Sequence, residues 1–291
     1  MARRELKPVP PSRRQYVRPF PALLSAKGIP GVKPAPFPGF IEPCLATLRT
    51  KSPAGDKWVH EIKYDGYRLQ AHVREGNVHL FTRRGHDWTD RFEPVALAAW
   101  ELKTYGTIVD GEVIVPTPEG RSDFHALEQD LGAGRSDRFV FYAFDLLYLD
   151  GLDLRNAALL DRKQILAELL AAAAEPFRFS EHVSANGPAV FKNACDLELE
   201  GIVSKRIDRP YRSGRNDNWF KTTCRHRAGP AAMIAKMQLL APGNCGGRED
   251  AGGAPDRPRR RPRRRSHRHA RHARGACGQA GDEHHSVTRK R

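Results

Sequence analysis

Hydrophobic and polar positions alternate in short runs through the middle of the chain, broken by Gly, Asp and Asn. KWVHEIKYDGYRLQAHV, the break EGN and VHLFTRRG read together as an antiparallel meander, because side chains along a strand repeat every two residues. GTIVDGEVIV predicts another strand or hairpin. FVFYAFDLLYL is apolar almost without interruption and predicts a strand buried on both faces. GIVSKR and NWFKTTC predict shorter strands. Helical spacing appears twice. One segment is Asp123 to Leu131, and the clearer one is Asn156 to Ala174, with Leu159, Leu160, Ile165, Leu166, Leu169 and Leu170 on one stripe. Many short strands and few helices predict an α+β domain built on antiparallel sheets with flanking helices.

Composition divides the chain into three. Residues 1–38 are rich in Pro, Arg and Lys and predict an extended or disordered arm. Residues 39–227 read as the globular domain. Residues 228–291 are basic and of low complexity, with too few large apolar side chains to offset chain entropy, and predict disorder. The formal net charge of +15 sits at the ends. Residues 1–35 hold 8 Lys and Arg against 1 acid, and residues 228–291 hold 15 against 5. A polyanion is the expected partner of such tails. The five cysteines form no CxxC pair, which predicts reduced thiols in a cytoplasmic setting. No apolar run approaches the ~18 residues of a membrane span, and no secretory signal is expected at the N-terminus.

The chemistry begins at HEIKYDGYRL, His60 to Leu69. The strand period puts Glu61 and Lys63 on one face, Asp65-Gly66 turns the chain, and Arg68 starts the return. A lysine becomes a nucleophile only when deprotonated, so neighbouring cations or a metal must favour its neutral form. The plain alternative is an exposed ion-pair ladder on a hairpin. Further along, Thr82-Arg83-Arg84-Gly85 offers a phosphate-binding guanidinium. Asp110-Gly111-Glu112 offers two carboxylates for a ribose hydroxyl or a divalent cation, or else a plain hairpin turn. Glu200 precedes an apolar strand that carries Lys205, and Trp219, Lys221 and Thr223 share a strand face.

Taken together, these segments resemble the ATP-dependent DNA ligases, within the covalent nucleotidyltransferases that also include RNA ligases and mRNA-capping enzymes. The likeness is strongest to the ligase module of the bacterial end-joining ligases and covers roughly residues 40–227. KYDGYR (63–68) is similar to the family's K-x-D-G-x-R motif. TRRG (82–85), DGE (110–112), FYAFDLLYLDG (141–151), LEGIVSKR (199–206) and WFKTTC (219–224) resemble the motifs that follow it, in order. The resemblance implies the ATP-grasp-like adenylation fold, with ATP and Mg²⁺ or Mn²⁺ as cofactors and nicked or broken double-stranded DNA as partner. End-joining repair proteins and a nucleoid-associated location follow from the same likeness.

It also implies roles. Lys63 is the residue that becomes adenylated. Glu61 reads the adenine amino group, and Phe144 stacks on adenine, its plain alternative being a core aromatic. Arg68 and Arg83 meet ribose, phosphates or the DNA 5′-phosphate. Glu112 contacts ribose or metal, Glu200 helps hold the metal, and Lys205 and Lys221 neutralise the α-phosphate.

Two departures stand out. The family's last strand motif usually reads W-x-K-x-K, and Thr223 replaces its second lysine. The family then continues into an OB-fold, which needs several alternating strands. Residues 228–291 predict none, so the expectation is a ligase module without that fold. The competing readings are a non-catalytic DNA-binding remnant and another lysine nucleotidyltransferase, such as an RNA ligase.

Overall fold

The computed structural model describes residues 21–102 and 104–224. Their order is α1 (Pro21–Ala26), β1 (Lys33–Pro34), β2 (Cys44–Leu48), β3 (Trp58–Ile62), β4 (Tyr67–Arg74), β5 (Asn77–Thr82), α2 (Glu93–Trp100) and β6 (Gly106–Ile114). Then follow α3 (Phe124–Ala133), β7 (Val140–Leu149), β8 (Leu152–Asp153), α4 (Leu159–Leu170), β9 (Phe177–Phe179), α5 (Gly187–Asp196), β10 (Gly201–Arg206) and β11 (Gly214–Thr223). The strands form a seven-stranded sheet in the order β1-β8-β7-β6-β4-β5, with β9 also on β7, and a four-stranded sheet in the order β2-β11-β10-β3. Pairing is antiparallel except for β2 with β11 and β7 with β9. The α+β expectation with antiparallel sheets holds.

The expected meander is half right. β4 and β5 form a hairpin around Glu75-Gly76, both with positive φ. β3 and β4 do not pair: β3 joins β10 in the small sheet, while β4 lies between β5 and β6 in the large one. Residues 63–66 carry the chain across. Gly66 permits the crossing, because a Cβ there would lie 2.0 Å from the Val113 carbonyl oxygen. Alternation continues through the crossing because each strand has period two on its own, so the pattern hid the change of sheet.

GTIVDGEVIV is one strand, not a hairpin. The register of β6 on β7 shifts between Asp110 and Gly111, where a Cβ would meet the Phe141 ring at 2.3 Å. β7 is buried along nearly all its length, as its apolar run predicts.

α3 starts where expected: the Asp123 carboxylate accepts from Ala126 N–H at 2.9 Å, and Gly134 ends the helix with φ 66°. α4 is shorter than its periodic segment and buries Leu159, Ile165, Leu166, Leu169 and Leu170. α2 and α5 were not expected. Both begin with Pro in the first turn, a position helices accept but which reads in sequence as a break.

Residues 21–38 are not an arm. Ala22 and Ala26 of α1 are fully buried in the core, β1 pairs with β8, and the Phe37 ring packs edge-on against His72 and Tyr148. A few small or aromatic side chains among prolines, without periodicity, make these contacts. Residues 1–20 and the expected tail 228–291 lie outside the described residues.

The cysteine expectation also fails: Cys195 and Cys224 form a disulfide with Cα atoms 5.5 Å apart. α5 leads into β10, and β10 pairs with β11 so that Gly201 faces Thr223. Partners 29 residues apart are thereby brought together. Cys44 is buried and free. Among the described residues, no helix is long and apolar enough to cross a membrane.

Candidate active site

Lys63 directly follows β3. Its N–H donates to Gly201 O at 3.0 Å, extending the ladder with β10 by one step. Its Nζ lies 2.5 Å from Glu200 Oε1, and both side chains are largely enclosed. Glu200 precedes β10, so backbone pairing fixes both partners, and the paired ends of two strands set the contact rather than a flexible loop.

Lys63 opens on a cavity of about 840 Å³ lined by residues of both sheets. Glu61, Lys63, Arg68, Arg83, Glu112, Phe144, Lys205 and Lys221 all line it. Glu200 reaches it through Lys63. Thr223 is exposed and lines nothing there.

One end of the cavity is ionic. Burial raises the Glu112 carboxyl to about 7; Arg68 and Lys63 oppose this, while Asp110 and Glu200 add to it. Burial and the charge of Lys63 lower Lys221, against the pull of Glu200. Arg83, Arg84 and His86 form an exposed rim. Arg68 is not a free guanidinium. It makes a two-point pair with Asp110, at 2.9 and 2.7 Å, and donates to Cys44 O at 2.6 Å. Burial disfavours its charge, but Asp110 outweighs burial and raises its pKa. Tyr211 braces the pair by donating its hydroxyl to Asp110 Oδ2 at 3.0 Å. Asp110 is thus spent on Arg68, leaving Glu112 as the open carboxylate of the DGE segment.

The other end is aromatic with a charged pole. Phe144 stands edge-on to Trp219, and Lys205 Nζ lies 4.4 and 4.2 Å from the centres of those two rings. Lys205 is buried and donates to Glu61 Oε2 at 2.9 Å, which commits it to Glu61 rather than to the Lys63 end. Ser180 Oγ donates to the same oxygen at 3.0 Å. Lys163 Nζ lies 2.9 Å from Glu61 Oε1. Burial pushes the Glu61 carboxyl up, but Lys163 and Lys205 together hold it below its usual range.

Lys163 and Ser180 did not appear among the sequence candidates. A signal existed: Arg162 and Lys163 fall three and four residues after Leu159, on the apolar stripe of α4. Charged residues there must have buried partners, and they do. Arg162 makes a two-point pair with Asp145 at 2.7 and 2.9 Å.

The residues fit a divalent cation that also draws on phosphate oxygens. Glu200 Oε2 is buried with no hydrogen-bond partner, and the raised Glu112 carboxyl marks a place where added positive charge is favourable. Among the described residues, no three His, Cys, Asp or Glu side chains cluster to hold a metal unaided.

Two sheets around one cavity, with a strand-end lysine facing carboxylates and further cations, define a nucleotidyltransferase-type ligase domain. Sequence comparison agrees. The chain belongs to the ATP dependent DNA ligase domain family, whose model matches residues 43–222. It is 40% identical over 193 residues to the multifunctional non-homologous end joining protein LigD of Pseudomonas aeruginosa, covering 66% of this chain and 23% of that protein. It is 33% identical over 185 residues to the SPbeta prophage-derived DNA ligase-like protein LigB of Bacillus subtilis, covering 62% of this chain and 67% of that one. The chain therefore spans about a quarter of the LigD relative. Among solved structures, mycobacterial DNA ligase D complexed with ATP and MES superposes with a TM-score of 0.56 at 32% identity, over 62% of this chain and 59% of that one.

Proposed function

We propose that this domain adenylates itself on Lys63 and passes the AMP to the 5′-phosphate of broken duplex DNA, in the service of end-joining repair. The observation that carries this reading is Lys63 Nζ at 2.5 Å from Glu200, opening on the cavity that Glu112 and Lys221 share.

In the first step the Lys63 amine, having given up its proton, attacks the α-phosphorus of ATP. A P–N bond forms, the bond to the bridging oxygen breaks, and pyrophosphate leaves. Glu200 Oε1 is the nearest acceptor for that proton. Lys221 offsets charge on the α-phosphate, and Phe144 stacks on the base, with Glu61 at its polar edge. Glu112 and Glu200 would hold a magnesium or manganese ion, which supplies charge neutralisation on the phosphoryl oxygens. The DNA 5′-phosphate then takes the AMP, with Arg83 and Arg84 at the exposed rim as its contacts. A 3′-hydroxyl finally attacks and releases AMP. End-joining proteins are the partners this reading implies, as the name of the LigD relative suggests.

The test uses the whole chain with α-labelled ATP and Mg²⁺, resolved on a denaturing gel. A covalent label that is discharged by pyrophosphate and by nicked DNA is expected. A chain that takes no label would refute the proposal, and a label that nicked DNA leaves in place would refute its DNA half.

A further inference from the structure

Glu61, at the aromatic end of the cavity, is more heavily supported than a wall residue needs to be. Two buried lysines and a buried hydroxyl converge on it. Lys163 does not line the cavity. It stands behind Glu61 on α4, almost fully buried, with its ammonium 4.5 Å from the centre of the Phe179 ring and donating to Ser180 O at 2.8 Å. Lys163 therefore fixes both the carboxylate, directly, and Ser180, through its backbone. Glu61 Oε1 is buried and faces the Lys163 ammonium at 2.9 Å. Glu61 itself lines the nucleotide-sized cavity, which puts its carboxylate at the edge of that space.

An ionised carboxylate only accepts hydrogen bonds. From the 6-position itself an amino group can donate to it and an oxo group cannot; a 6-oxo purine keeps a donor only at the neighbouring N1. We propose that Lys163, with Ser180, is a positioning residue that keeps Glu61 an acceptor and thereby selects a 6-amino over a 6-oxo purine nucleotide. The inference rests on the reading above, in which the base stacks on Phe144 with Glu61 at its polar edge. Removing Lys163 leaves Lys205 alone against burial, so Glu61 gains a proton more readily and can donate to a 6-oxo group instead.

The experiment measures self-adenylation with ATP and the corresponding self-labelling with ITP, which carries a 6-oxo group and a hydrogen on N1 in place of the 6-amino group and bare N1 of ATP. It compares wild type, Lys163→Met, Lys163→Arg and Ser180→Ala. For Lys163→Met the ATP-to-ITP preference in kcat/KM should fall by about tenfold or more, the equivalent of one charge-assisted hydrogen bond. The change should lie mainly in KM, and Lys163→Arg should restore the preference. Ser180→Ala, which removes a donor but no charge, should lower the preference less and serves as the second variant should Lys163→Met fail to fold. A folded Lys163→Met, or failing that a Ser180→Ala, with wild-type preference would overturn the inference while leaving the ligase reading intact. Wild type that takes no label from ATP would overturn both.

Discussion

Replacing Glu112 by Gln should make the apo domain less sensitive to pH while crippling its chemistry. In the fold the Glu112 carboxyl is raised from 4.5 to about 7, with burial as the largest cause. A raised carboxyl favours folding when protonated. Its contribution is complete below about 4.5 and is lost as pH climbs through about 7. A displacement of that size, at 1.36 kcal/mol per unit, corresponds to ~3 kcal/mol of stability given up across the window. Gln has nearly the same shape and does not titrate. Urea unfolding of both proteins in EDTA at a series of pH values therefore provides the assay, because titrating groups remote from Glu112 cancel in the difference. The stability of Glu112→Gln relative to wild type should rise by ~3 kcal/mol between the two ends of the window. The same substitution should lower Mg²⁺-dependent adenylation by about 10- to 100-fold, the usual range for losing a metal-site partner. Parallel stability curves for the two proteins would refute the argument that this carboxylate is held under electrostatic tension.

Two further substitutions test the frame around the site. Arg162→Met leaves the buried Asp145 carboxylate without its guanidinium and should cost about 3–5 kcal/mol by chemical denaturation, with Arg162→Met/Asp145→Leu losing clearly less. Gly111→Ala drives a methyl into the Phe141 ring and should cost about 1–3 kcal/mol. Combined with Phe141→Leu, its cost should be smaller than the sum of the two single losses.

Much of the domain could be read before its structure was known, for a physical reason. β7 is a long apolar run and β10 opens on one, which marks both as strands from their own side chains, and α3 carries its cap in Asp123 and its stop in Gly134. What escaped were features created by pairing. Asp65-Gly66 and Asp110-Gly111 look alike in sequence. One is a passage between sheets and the other an irregularity inside a strand, and the neighbouring backbone or ring decides which. The candidate residues on strands gather around one cavity because the end of β3, the start of β4, Glu112 of β6, Phe144 of β7 and alternate positions of β10 and β11 face it. Their division of labour was not legible. Arg68 is claimed by Asp110 and Lys205 by Glu61, and each claim depends on strand register. Lys163 was hidden because a charged residue on an apolar helical stripe reads as a flaw in the pattern until its buried partner is seen.

The most direct test of the account is to locate the AMP. After incubation with ATP and Mg²⁺, the chain is digested at neutral pH and the fragments are mapped by mass. The account predicts one adenylyl group, carried by the peptide of residues 58–68, on Lys63, and none in Lys63→Ala. An adenylyl group on any other side chain, or an undiminished one in Lys63→Ala, would contradict it.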